Sequence, residues 1–336
     1  MQSDYLHMAP FLDASEAENM LRVAESFGSF GTYAEEATSE GLGETLPQRF
    51  DVGLQYVEHG LDGRGNADDP DTAASRTNYF RETYIYGEEA RVEGVEPFLE
   101  HPQMRRAAED ISGCEEVVPA IVYANLLVPG QELAIHTDVP EFRGINRKNA
   151  PQWLLVCMLH SGLFQRWRIP ILTCVSWFGA AKGGAFTFYP RGVQGEREAI
   201  PAGHNSAIII DTDCVFHGVE RVNQQRPGLP TIGPGTRLYY LGEDQWELRT
   251  GDVVQAQYRW PEIRYSVSWK GYCFQDRDAR RLWEEHGDDL TVDGVLDTFE
   301  TDLRARGLLM AAPPGPDEYA QLMVETYVRF PGSTGR

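Results

Sequence analysis

Ala120-Ile121-Val122-Tyr123-Ala124-Asn125-Leu126-Leu127-Val128-Pro129-Gly130-Gln131-Glu132-Leu133-Ala134-Ile135-His136-Thr137-Asp138 is the stretch on which the reading of the fold turns. Two runs rich in β-branched and apolar residues, Ala120–Leu127 and Leu133–Thr137, flank a Pro-Gly pair, which reads as strand, turn, strand. The same grammar continues outward. Between Val118 and Phe274, strand-like runs recur at Gln152–Leu159, Ile169–Trp177, Ala185–Tyr189, Ser206–Asp211, Thr236–Leu241, Val253–Arg259 and Ile263–Phe274, separated by Gly and Pro. No amphipathic helix is evident between them. Short strands at this spacing predict an antiparallel sandwich or barrel.

The flanks read differently. Ser15-Glu16-Ala17-Glu18 opens a helix expected to run to about Ser26, with Asp13 or Ser15 as its N-cap. Residues 61–75, rich in Gly, Asp and Ala, read as an exposed loop. Arg76 to Tyr86 alternates like a strand, and Val95 to Ile111 suggests helices around a break at Pro97. Beyond Asp276, Leu282, Leu290, Val295, Phe299, Leu303, Tyr319, Met323 and Tyr327 mark helical apolar faces, interrupted by Pro313-Pro314-Gly315-Pro316. The expectation is one catalytic domain over residues 1–336. It has a mixed, helical N-terminal part (1–117), a β core (118–274) and C-terminal helices (275–336).

Composition narrows the class of function. The 336 residues are 42% hydrophobic and 24% charged, enough for a large core and incompatible with wholesale disorder. Lys plus Arg number 30 against 51 Asp plus Glu, a net charge of -21. Such a surface repels phosphate backbones and anionic lipid, so no nucleic-acid or membrane partner is expected. Apolar runs such as Trp153 to Leu159 are too short to span a bilayer. The five cysteines are odd in number, widely spaced and free of any C-x-x-C pair, which fits a reducing cytoplasm rather than a disulfide framework or a zinc site.

Eight histidines are present, and His136-Thr137-Asp138 places an imidazole and a carboxylate two residues apart at the end of an apolar strand. That spacing puts both side chains on one face. His217 follows 81 residues later, after the run Ala207 to Phe216. Two imidazoles and one carboxylate on one side of an ion leave three positions open, the facial triad of non-haem Fe(II) oxygenases. Such chemistry needs a reductant for O2. If that is 2-oxoglutarate, its far carboxylate calls for a buried cation, best an Arg. Arg264 and Ser266 share a strand face and could grip one carboxylate together; Arg237 is the rival. Tyr123 and Asn125, on the strand preceding the His-x-Asp pair, are further candidates for the same anion. Glu141, Arg143 and Arg147, in the polar loop after Asp138, are candidates for substrate contact. Trp153, Trp177, Phe186 and Phe188 are expected in the core, and His160 and His204 are expected to be structural. Gly183-Gly184-Ala185-Phe186-Thr187-Phe188 marks the start of a close-packed strand.

On His136-x-Asp138, His217 and Arg264-x-Ser266, the sequence resembles the Fe(II)/2-oxoglutarate-dependent oxygenases with a double-stranded β-helix (jelly-roll, cupin-like) core, over roughly residues 118–274. The resemblance implies a mainly β fold with flanking helices. It implies Fe(II) held by His136, Asp138 and His217, with 2-oxoglutarate and O2 as co-substrates and Arg264 with Ser266 as the 2-oxoglutarate clamp. In the family the clamp Arg follows the distal His by about ten residues or slightly more; here the gaps are 47 to Arg264 and 20 to Arg237. An inserted hairpin around Tyr239 to Tyr258 would account for the longer one. The implied activity is oxidation of an unactivated C–H bond, hydroxylation above all, with release of succinate and CO2. A carboxylate at Asp138, where halogenating members have a small residue, favours hydroxylation, desaturation, cyclisation or epimerisation. A small, biosynthetic molecule is the expected substrate. Three other readings stay open: a peptide or protein hydroxylase, a cupin-type metalloenzyme without 2-oxoglutarate, and a metal-free jelly-roll binding module. Oligomeric state is not legible.

Overall fold

A computed structural model describes residues 5–33, 70–87, 89–192, 194–224 and 228–328. In chain order the elements are β1 (Tyr5–Met8), α1 (Ala14–Phe27), β2 (Ser29–Thr32), α2 (Pro70–Thr77), β3 (Phe80–Tyr86), β4 (Glu89–Ala90), α3 (Glu96–Leu99), α4 (Pro102–Ser112), β5 (Glu116–Leu127), β6 (Leu133–His136), β7 (Glu141–Phe142), α5 (Gln152–Ser161), β8 (Arg168–Ile169), β9 (Ile171–Phe178), β10 (Phe186–Phe188), β11 (Glu198–Ile200), β12 (Ser206–Ile210), β13 (His217–Val219), β14 (Thr236–Gly242), β15 (Gln245–Thr250), β16 (Val253–Arg259), β17 (Arg264–Phe274), α6 (Arg277–Glu284), α7 (Val292–Ala305) and α8 (Pro316–Tyr327).

Two antiparallel sheets carry the molecule. The larger runs β1-β12-β9-β17-β5-β3-β2-β14-β15-β16, and the smaller runs β11-β10-β13-β6. The chain passes from one to the other at β5 to β6, β9 to β10, β11 to β12, β12 to β13 and β13 to β17. The eight strands so linked, ordered β12-β9-β17-β5 against β11-β10-β13-β6, form a double-stranded β-helix. Trp177, Phe186, Phe188, Ile208 and Ile210, drawn from both sheets, pack together.

Strand alternation separates two environments. On the face of the large sheet away from the small one, Val122, Ala124 and Leu126 of β5, Leu172 and Cys174 of β9 and Tyr265, Val267 and Trp269 of β17 join one core with α1 and α4. The intervening positions, Tyr123, Asn125 and Leu127, Thr173 and Val175, and Arg264, Ser266 and Ser268, face the small sheet and line a cavity. A buried strand that alternates polar with apolar residues is thus core on one side and site on the other.

Helix α1 starts where Asp13 accepts from the Glu16 backbone and Glu16 returns the bond to the Asp13 N–H, a reciprocal cap. The break in the next helical region falls at Pro102, which opens α4; Pro97 lies inside the first turn of α3, where its missing N–H costs nothing. The expected strand from Arg76 begins at Phe80, because residues 70–77 are helical rather than part of a loop; residues 61–69 lie outside those described. The larger correction is Gln152–Leu159. It is not a strand but α5, in which Gln152 and every residue from Leu154 to Leu159 is buried. A helix covered on all sides has no polar face, so its sequence carries no 3.6-residue period and reads like a buried strand. Its cover is the C-terminal pair: Val295, Phe299 and Leu303 of α7, and Tyr319, Met323 and Tyr327 of α8.

Between β13 and β17 the chain makes a three-stranded meander, β14-β15-β16, joined to the large sheet through β2. This insertion accounts for the long interval between His217 and Arg264.

Candidate functional site

His136 is the last residue of β6, and His217, the first of β13, is its cross-strand partner. The strands can meet there because position 218 is glycine: a Cβ would lie 2.6 Å from the Leu133 carbonyl. The two imidazole centroids are 4.4 Å apart. Asp138 stands just past the strand end, tied by its backbone N–H to the Thr212 carbonyl (2.8 Å). Its Oδ1 is 3.6 Å from Nε2 of His136 and 3.9 Å from Nε2 of His217. Ligand atoms from all three residues fall within 4.8 Å of one another, and among the described residues no other group of three His, Cys, Asp or Glu does so.

The imidazoles are oriented for this. Nδ1 of His136 lies 2.8 Å from the Ala134 carbonyl, and Nδ1 of His217 lies 2.9 Å from the Val215 carbonyl. A carbonyl only accepts, so each Nδ1 carries the proton and each Nε2 presents a lone pair to the common point. Burial, aided by the neighbouring His136, pushes His217 down to about 3, so it is neutral over the whole physiological range. Burial works the other way on Asp138, but the Lys270 ammonium opposes it and the carboxyl stays well below the usual range. Two neutral nitrogens and one anionic oxygen, converging, fit a divalent transition ion such as Fe(II).

The triad borders a cavity of about 810 Å³, measured out to its open mouth. Arg264, Ser266, Tyr123 and Asn125 line it as well. Arg264 is 2% exposed. Its Nε donates to the Gly184 carbonyl (2.7 Å) and Nη1 to Ser266 Oγ (3.3 Å), while Nη2 is buried without a hydrogen-bond partner among the described residues. No carboxylate pairs with it there, and burial lowers it to about 9. A buried guanidinium with no counter-charge is costly until an anion arrives. Gly184 makes room for its stem: at φ +66 a Cβ would sit 2.5 Å from Arg264 Cδ. That explains Gly184; at Gly183, with φ +73, a Cβ would instead lie 2.7 Å from the Arg221 carbonyl oxygen. The Asn125 Oδ1 is also buried without a hydrogen-bond partner among the described residues.

Arg237 is not brought to this site. It sits on β14, hydrogen-bonded to Glu82 (2.9 Å) and to Ser29 Oγ (3.0 Å), with its side chain 34% exposed. Its charge is already compensated, so the clamp expectation at Arg237 is withdrawn. Of the three polar loop candidates, Arg147 lines the cavity, whereas Arg143 is held by Asp288 (2.6 Å) and Glu141 accepts from the Tyr272 hydroxyl (3.1 Å). His160 packs on Phe216, and His204 accepts the Gly179 N–H, away from the triad. Four residues that the sequence reading did not single out also border the site. Arg81, over the Tyr123 ring at 4.0 Å, Tyr33 stacked on Tyr79 at 5.1 Å, and Tyr79 itself line the cavity. Lys270 reaches Asp138 directly, with Nζ 2.7 Å from Oδ2.

No family model matches the sequence, and no curated protein matches it. Among solved structures, the chain is similar to an oxidoreductase of the 2OG-Fe(II) oxygenase family from Burkholderia pseudomallei (12% identity, 80% of this chain and 85% of that chain, TM-score 0.41). It is similar also to the non-heme alpha ketoglutarate dependent carbocyclase SnoK from nogalamycin biosynthesis (9% identity, 81% and 80%, TM-score 0.42). A third is a prolyl hydroxylase from Trichoplax adhaerens, in complex with a hypoxia inducible factor peptide fragment (11% identity, 84% and 87%, TM-score 0.41). Among the described residues of this chain, no helix is long and apolar enough to cross a membrane.

Proposed function

We propose that this chain is an Fe(II)- and 2-oxoglutarate-dependent oxygenase acting on a C–H bond of a small polar molecule. The observation that carries the reading is a conjunction within one cavity. A converging His136, Asp138 and His217 set lies on its wall together with Arg264, a buried cation that no carboxylate of the described protein neutralises. A cupin-type site with no anionic co-substrate leaves that guanidinium unexplained, and a metal-free binding module leaves the three converging ligand atoms unexplained.

In this reading, His136, Asp138 and His217 hold Fe(II), and the bound ion with 2-oxoglutarate and O2 supplies the oxidising chemistry, with succinate and CO2 as by-products. The protein's own residues orient and enclose. Arg264 and Ser266 take the far carboxylate of 2-oxoglutarate, with the guanidinium aimed by the Gly184 carbonyl. Tyr123 and Asn125, on the neighbouring strand, offer further polar contacts to the same co-substrate, since Ser266 and Asn125 are register partners. The Nδ1 bonds of His136 and His217 keep both rings in the ligating tautomer. Arg81, Arg147, Tyr33 and Tyr79 are left to contact the primary substrate.

The test is direct. Purified protein, titrated with Fe(II) under anaerobic conditions, is expected to bind one equivalent. On admission of O2 it should convert 2-oxoglutarate to succinate slowly without a primary substrate and faster with the right one. Iron binding without any succinate would move the assignment to the cupin-type reading, and absence of stoichiometric iron would remove the enzyme reading altogether.

A further inference from the structure

The two oxygens of Asp138 have unlike surroundings. Oδ1 faces both Nε2 atoms. Oδ2 accepts from Lys270 Nζ at 2.7 Å and from Thr212 Oγ1 at 2.7 Å. The Thr212 hydroxyl donates its one hydrogen bond to Asp138, so the bond to Thr173 Oγ1, also 2.7 Å, must run from Thr173 to Thr212. Lys270 stands on β17 in the same alternating row as Arg264, Ser266 and Ser268, and its side chain is 13% exposed. Oδ2 thus carries two donors, one of them a full positive charge.

That asymmetry bears on coordination number. A carboxylate can bind an ion through one oxygen or both. Two imidazoles and a single oxygen leave half of an octahedron free, enough for the two donor atoms of a keto acid and one of O2. If the second carboxylate oxygen also bound, one of those positions would be lost. Resting on the proposed function above, we infer that Lys270, assisted by Thr212, is a positioning residue that restricts Asp138 to one-oxygen ligation and keeps a ligand position open, at the expense of ion affinity. The ammonium acts twice: it holds Oδ2, and it repels a divalent ion from that side.

The inference predicts an unusual sign. A lysine that merely propped up the site would, when removed, weaken ion binding. Here Lys270→Met should tighten Mn(II) binding to the O2-free protein by at least about tenfold, because Asp138 loses its competing cation and its Oδ2 keeps only the uncharged Thr212 donor. In the same variant, 2-oxoglutarate should bind the Mn(II)-loaded protein at least about threefold more weakly, since the position it needs is contested. Lys270→Arg, which keeps the charge, should return both affinities toward wild type. Calorimetric titration with Mn(II), then with 2-oxoglutarate, reads both, and circular dichroism checks that the variants fold. Equal or weaker Mn(II) binding by folded Lys270→Met overturns the inference while wild-type binding leaves the oxygenase reading intact. If Lys270→Met does not fold, Thr212→Val, which removes the uncharged donor, takes its place: roughly twofold tighter Mn(II) binding supports the inference, and unchanged or weaker binding overturns it. If the wild-type protein binds no Mn(II) at all, the oxygenase reading falls and this inference falls with it.

Discussion

Arg264 and Arg237, the clamp candidate and its rival in the sequence, belong to the same large sheet, yet the two regions that hold them treat a guanidinium in opposite ways. On the meander, Arg237 meets Glu82 and the Ser29 hydroxyl at the edge of solvent. Its charge is answered within the chain, and such a half-exposed pair contributes at most about 1 kcal/mol. Between the two sheets, Arg264 is given a backbone carbonyl and a serine hydroxyl, but no carboxylate among the described residues. The difference teaches that a functional cation is recognised by the missing counter-charge rather than by residue type or by distance along the chain from a histidine.

The largest effect is expected at the ion side of the cavity. His136→Ala or Asp138→Ala should abolish stoichiometric iron binding and lower succinate formation by at least about a hundredfold, the loss of a whole ligand being worth several kcal/mol. Full turnover in either variant would sever the cavity from the chemistry. Next come the arginines themselves. Arg264→Ala should raise the KM for 2-oxoglutarate on the order of a hundredfold, about 3 kcal/mol for a buried charge-assisted contact, while Arg237→Ala should change it less than about twofold. Steady-state kinetics with varied 2-oxoglutarate decides, and a larger effect at position 237 would exchange the roles. A smaller effect, roughly tenfold on the same KM with iron affinity kept, is expected for Gly184→Ala, where the new methyl meets the Arg264 stem and the backbone is left-handed. A KM indistinguishable from wild type would show that the guanidinium does not depend on that carbonyl for its aim.

The smallest effect separates the regions by pH. His217 titrates near 3 in the folded protein and near 6.5 when unfolded. At this residue the unfolded chain therefore binds more protons between these values, so the stability that His217 contributes to the metal-free fold is whole above about pH 6.5 and is lost as the pH falls toward 3. Between pH 7 and 5 the loss is about 2 kcal/mol, a drop in Tm of about 3 °C. His217→Gln should flatten that slope, as followed by thermal denaturation of metal-free protein. The meander from Thr236 to Arg259 contains no histidine, so a substitution there, such as Arg237→Ala, should leave the slope unchanged.

How much of this could be read beforehand depended on the range of the interaction. The His136-x-Asp138 pair is legible because strand geometry alone sets two residues on one face. The Asp13 cap and the run of strands are equally local signals. The helix α5 was not legible, because burial on every side erases the period that distinguishes helix from strand. Lys270 was not legible either. Its partner lies 132 positions away, and an alternating strand such as Arg264 to Lys270 looks the same whether its polar row faces water or a cavity. The sequence favours Arg264 with Ser266 over Arg237 but leaves the rival open for the same reason, since Glu82 is 155 positions from Arg237.

The buried helix α5 has a consequence for how the chain is made. Its cover, α7 and α8, is translated only after about 130 further residues have left the ribosome. At roughly 5–20 residues per second, Trp153 to Leu159 wait on the order of ten seconds for their cover. Nascent chains arrested before Val292 should accordingly be found bound by holdase chaperones or in aggregates, and those released after Tyr327 should not.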